Sequence, residues 1–153
     1  MKATRLLFTI SWVALLLVSI ALVLGSFGSL VTAYSGAQDN LTPNFTMEQI
    51  QNAGGAEAVN AYRGRRITAA TWALAYALLS FFVVLIPYRR GERWAWIALL
   101  AAISVSQLLS IGRALALGST FGLGTPTIIL SVALLGLIAG LPHLFARKSG
   151  PEI

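Results

Sequence analysis

The chain contains no cysteine, a single histidine and only five acidic residues among 153. The first absence excludes disulfide exchange, thiolate catalysis and sulfur-ligated metals, because each needs a thiolate. The lone imidazole, His143, cannot build a multi-ligand metal site, and its one conceivable cofactor role is as a single axial ligand. Following Pro142 near a helix end, it is expected to face backbone carbonyls and headgroups instead, and no cofactor is expected. Charge is scarce too: 10% of residues are charged and 57% are hydrophobic, which lies outside the composition of soluble domains. No nucleophile stands beside a base, and no run of ionisable groups marks an ion path.

What the chain has is four long apolar stretches. A bilayer core of about 30 Å needs about 20 helical residues. Four such segments fit here, and the sequence predicts an all-α integral membrane protein: a single domain over residues 1–153, folded as an up-down four-helix bundle with helices at about 6–34, 65–86, 94–117 and 126–146. The first segment follows Lys2 and Arg5 and resembles a signal peptide. Its apolar run from Leu6 to Leu24 continues through Gly25, Phe27 and Leu30, longer than a cleavable signal needs, so an uncleaved helix is expected.

Between the first two segments, residues 35–64 form the only sizeable polar region. Thr46 followed three residues later by Gln49 is a capping arrangement, and it predicts a short amphipathic helix from about Met47 to Tyr62. Gly54-Gly55 weakens that helix by about 1 kcal/mol per glycine and is its expected break. Pro87 is expected to stop the second segment, because the residue before a proline is disfavoured in helical geometry. The turn that follows, Tyr88 to Trp96, carries three arginines and three aromatics, a composition suited to headgroup depth. Gly118 to Gly124 reads as a flexible connector, with Thr125 capping the fourth helix and Pro126 in its first position.

The formal charge of +6 does not form a stripe of the kind that binds nucleic acid; the basic residues bracket the apolar segments. Counted on alternate sides of four crossings, Lys2, Arg5, Arg89, Arg90, Arg93, Arg147 and Lys148 make seven against the four of Arg63, Arg65, Arg66 and Arg113. Both termini are therefore expected in the cytoplasm, with the polar loop outside.

At Pro87-Tyr88-Arg89-Arg90-Gly91-Glu92-Arg93-Trp94-Ala95-Trp96 the chain resembles small uncharacterised multipass membrane proteins of bacteria, which join two helices with a similar Arg-Gly-Glu-Arg-Trp-Ala-Trp turn. The resemblance covers about ten residues and implies a bacterial inner-membrane protein. It assigns no functional residue.

Three groups of side chains are candidates for function. Ser106, Ser110 and Arg113 recur at spacings of four and three, with Gln107 one position round, and could share a polar face with Thr71 and Tyr76 of the second helix. Helix glue is the simpler reading of that face; a hydrophilic path or ligand cleft is the sharper one. Arg113, near the outer boundary, is expected to latch onto Glu57 or Glu48 of the outer loop, since an unpaired guanidinium beside hydrocarbon is costly. Arg113→Glu should then destabilise the protein, and adding Glu57→Arg or Glu48→Arg should restore part of the loss in a double-mutant cycle. If neither swap rescues stability while Arg113→Ala abolishes binding of an anionic compound, Arg113 belongs to a binding site. Third, Gly136 and Gly140 form a GxxxG pair, and Ala69, Ala73 and Ala77 repeat every four residues, which permits close helix approach within the bundle or to another copy.

The functional reading that follows is a structural or accessory subunit of a membrane complex, with no enzymatic activity of its own expected. The alternatives are a small oligomeric carrier or channel using the Ser106, Ser110 and Arg113 face, and an enzyme or lipid-binding protein at the outer surface. The expected partners are the lipid bilayer and either a second copy or a larger complex.

Overall fold

A computed structural model describes residues 2–35, 46–116, 118 and 123–145, and among these the chain is helical apart from short turns and helix flanks, with no strand. The helices are α1 (Lys2–Ser35), α2 (Met47–Val83), a π-helical turn (Val84–Tyr88), α3 (Arg93–Ala116) and α4 (Gly124–Phe145). Part of the expected outer loop (36–45), most of the glycine-rich connector and the basic pair Arg147 and Lys148 lie outside the described residues.

Four helical stretches, Ala3–Ser35, Met47–Tyr88, Arg93–Ala116 and Gly124–Phe145, are long and apolar enough to cross a membrane. Their outward side chains are large hydrophobes: Leu24, Trp72, Leu109 and Leu135 are each about two-thirds exposed or more. Large apolar side chains exposed on every span call for lipid as their solvent, and helices answer the demand because they satisfy their backbone polar groups internally. The chain is thus a multi-pass membrane protein.

Three helix boundaries differ from the sequence reading. The capping bonds at Thr46 and Gln49 are present: the Thr46 N–H donates to Gln49 Oε1 at 2.8 Å, and the Gln49 N–H donates to Thr46 Oγ1 at 3.4 Å. The helix they start does not end near Tyr62. It breaks at Gly55 (φ 65°, ψ −165°) and resumes directly into the second span. Residues 56–66 contain no proline, and adding residues to an existing helix is far cheaper than nucleating a new one, so the span extends back into the polar region.

Pro87, expected to stop the second span, instead sits inside the π-helical turn. A wider turn accommodates a residue without an N–H, and the helix closes four residues later at Gly91. There the Gly91 N–H donates to the Tyr88 carbonyl (2.9 Å), the Glu92 N–H donates to the Pro87 carbonyl (3.1 Å), and Gly91 takes φ 78°. This is a Schellman closure, in which the left-handed position suits glycine. At the start of α4, Thr125 lies inside the first turn rather than capping it, and Pro126 is third in the helix, still among the positions whose N–H would have no intrahelical partner.

The chain divides into two compact units, Ile20–Leu79 and Met1–Ser19 with Ser80–Ile153. In the first, Ala33, Ala70 and Ala77 are buried. The expected stripe of Ala69, Ala73 and Ala77 is not a single buried face, since Ala69 and Ala73 are exposed. Steps of four residues drift by about 40° around a helix, whereas a step of seven drifts by about 20°, so Ala70 and Ala77 keep the inward side.

In the second unit, the beginning of α3 lies against the end of α4. The Trp96 indole donates to the Leu137 carbonyl at 2.9 Å, Arg93 Nε donates to the Leu144 carbonyl at 2.9 Å, and the Trp96 and Phe145 rings meet edge to face at 5.7 Å. The first half of α1 runs along α4 in the opposite sense: Leu15 meets Gly136, Ser11 meets Gly140, and Phe8 stacks on His143 with centroids 4.3 Å apart. Successive contacts three and four residues apart on both helices define one packed seam.

Candidate functional site

The expected polar face of α3 is largely occupied by its own helix. Ser106 Oγ donates to the Ile103 carbonyl at 3.0 Å, and Ser110 Oγ donates to the Ser106 carbonyl at 2.9 Å. Gln107 is buried, and its Nε2 donates to Ser106 Oγ at 3.2 Å. Hydroxyls that return their proton to a carbonyl three or four residues back satisfy themselves without a ligand. Arg113 is exposed in the last turn of α3.

Thr71 and Tyr76 belong to the other unit. Thr71 Oγ1 donates to the Ile67 carbonyl at 2.9 Å, and Tyr76 is partly buried. Glu48 and Glu57, in the same unit, are both exposed. Among the described residues, no group of three His, Cys, Asp or Glu side chains could hold a metal ion.

The most organised polar arrangement was not anticipated. It centres on Tyr88, whose side chain is fully buried at the end of the π-helical turn. Its hydroxyl shares a 2.5 Å hydrogen bond with Ser11 Oγ, and its ring stacks on Phe8 with centroids 5.5 Å apart. Gly140 makes room for this pair: a Cβ there would collide with the Tyr88 hydroxyl and come within 2.8 Å of Ser11 Oγ. One residue further along α1, the Trp12 indole donates to the Val84 carbonyl at 3.2 Å. That carbonyl belongs to the first residue of the π-helical turn, where the regular helical hydrogen-bond pattern is interrupted.

Gly136 and Gly140 are thus inside the second unit, against Leu15, Ala14, Ser11 and Tyr88. Their spacing was legible in the sequence; their partners were not. Ser11 and Trp12 carry no local signal, because a serine and a tryptophan in an apolar helix fit lipid or protein surroundings equally well. Pro87 was expected only to end a helix, which gives no indication of which side chain would turn inward.

Two shallow grooves adjoin the same turn. One, of about 350 Å³, is lined by Leu85, Ile86, Arg89 and Arg90. The other, of about 370 Å³, is lined by Phe82, Val83, Ile86, Pro87, Glu92 and Trp94. Arg89 lies with its guanidinium carbon 5.0 Å from the centre of the Trp12 ring, and the Glu92 carboxylate accepts a hydrogen bond from the Trp94 indole. Arg93 is turned the other way, toward Leu144 and the Phe145 ring.

Chemically, the Tyr88 cluster is a fastener. Its hydroxyls satisfy each other, its rings are stacked, and its glycine allows two helices to approach. No family model, curated protein or solved structure matches the chain.

Proposed function

We propose that this is a small multi-pass protein of a bacterial inner membrane, arranged up-down with both termini in the cytoplasm, and that it acts as a structural or accessory subunit of a membrane complex. The observation that carries the reading is where the polar side chains of the helices direct their hydrogen bonds. Ser19, Thr71, Ser106 and Ser110 bond to carbonyls of their own helices, and Ser11, Trp12 and Trp96 join one helix to another. Side chains committed to fastening helices support a scaffold more than a solute path, in which hydroxyls would be directed at water or cargo.

Gentle detergent extraction of the full chain, followed by identification of co-purifying proteins, tests the subunit role. A stoichiometric partner of different sequence is the expected result. A homogeneous oligomer of this chain alone that mediates solute flux in vesicles would replace the subunit reading with that of a carrier.

The orientation rests on the seven basic residues placed on one side against four on the other. A reporter fused after Ile153 should read cytoplasmic, and one inserted near Asn52 should read external. The reverse result at both positions overturns the assignment.

A further inference from the structure

We propose that the Tyr88–Trp94 turn carries a binding site for one anionic phospholipid, with its phosphate on Arg89 and Arg90 and an acyl chain along Phe82, Val83, Pro87 and Trp94. The two grooves described above share Ile86 as a common wall, so a cationic surface and an apolar one adjoin at a single residue. They lie where the second candidate span ends, at Tyr88, and the third begins, at Arg93. A lipid supplies both chemistries at that position, a charged phosphodiester followed by hydrocarbon, whereas a free anion matches only the first.

Charge and geometry favour an anionic headgroup. Arg89 and Arg90 are adjacent and exposed, and each guanidinium can present two parallel N–H donors to phosphate oxygens. Arg89 is already held against Trp12, so less freedom is lost when it engages a ligand. The one carboxylate of the turn, Glu92, is engaged by the Trp94 indole, and among the described residues Arg90 has no carboxylate partner. The backbone beneath is fixed by the Schellman closure at Gly91 and by the Trp12 bond to Val84. This inference stands apart from the accessory-subunit reading and from the assigned orientation, since it needs only the local geometry of the turn.

The test uses the purified full-length chain in a neutral detergent, with phosphatidylglycerol, phosphatidylcholine or chain-free glycerol phosphate added in turn. Retained lipid is read by native mass spectrometry and the melting temperature is read in parallel. Phosphatidylglycerol should be retained and should raise the melting temperature, and the other two additives should do neither. Arg89→Gln with Arg90→Gln should weaken phosphatidylglycerol binding by about fivefold for each arginine removed, the size expected for a basic side chain near an anionic surface. Ile86→Trp, which fills the shared wall without altering charge, should weaken it as well, and Arg63→Gln with Arg65→Gln should leave it unchanged. The proposal is overturned if phosphatidylcholine binds equally, if the Arg89 and Arg90 double variant or Ile86→Trp binds as the parent does, or if Arg63 and Arg65 matter as much. A full response to glycerol phosphate alone would also overturn it, by identifying a simple anion site.

Discussion

Replacing Gly140 with leucine is expected to destabilise the protein by about 1–3 kcal/mol or more, the usual cost of overpacking a filled interior. The cause is local. Even a Cβ at this position collides with the Tyr88 hydroxyl and crowds Ser11, so a leucine must drive α1 and α4 apart or expel the tyrosine from its buried position. Thermal unfolding in detergent checks this, with Leu135→Ala as the control, because Leu135 is 68% exposed and faces away from the protein interior. Leu137 would be a poor control, being only 1% exposed. An unchanged melting temperature for Gly140→Leu would mean that the α1–α4 seam is wrong.

Tyr88→Ala should cost about 3–5 kcal/mol, as for other large buried aromatic residues truncated to alanine. Tyr88→Phe should cost much less, about 0.6–1 kcal/mol, because it keeps the ring and removes a single hydrogen bond. The two substitutions separate packing from hydrogen bonding. Ser11→Ala should match Tyr88→Phe, since the two hydroxyls bond each other, and the double variant should lose little beyond either single change. Additive losses would show that the two hydroxyls act independently; equal damage from Tyr88→Phe and Tyr88→Ala would place the energy in the hydroxyl rather than the ring.

These two residues show how far the sequence could be read. Gly140 was recognisable as a close-approach position from its spacing with Gly136, yet nothing nearby in the chain identifies what approaches. The partners, Ser11 and Tyr88, are 77 residues apart. Pro87, expected to end the second span, lies instead within a π-helical turn, because the closure is supplied by Gly91, four residues on. The alanine repeat is split for a geometric reason: a spacing of four suggests one face, but the buried seam keeps Ala70 and Ala77 inward and leaves Ala69 and Ala73 outside. Spacing alone groups the polar residues of α3 on one face, and only their hydrogen bonds show that Ser106 and Ser110 turn back on their own helix.

By itself, the sequence determined the solvent and the helical class. Runs of apolar residues long enough to cross hydrocarbon can satisfy their backbones only as helices, and this follows from composition and length without knowledge of any contact. The capping bonds at Thr46 and the break at Gly55 are equally local, since they depend on residues three or fewer positions apart. Tertiary structure alone decided which faces turn inward. In a membrane both the lipid and the protein interior are apolar, so hydrophobicity does not distinguish them, and burial is set by shape: a glycine opposite a serine, a tyrosine in a widened turn, an indole reaching a carbonyl on another helix.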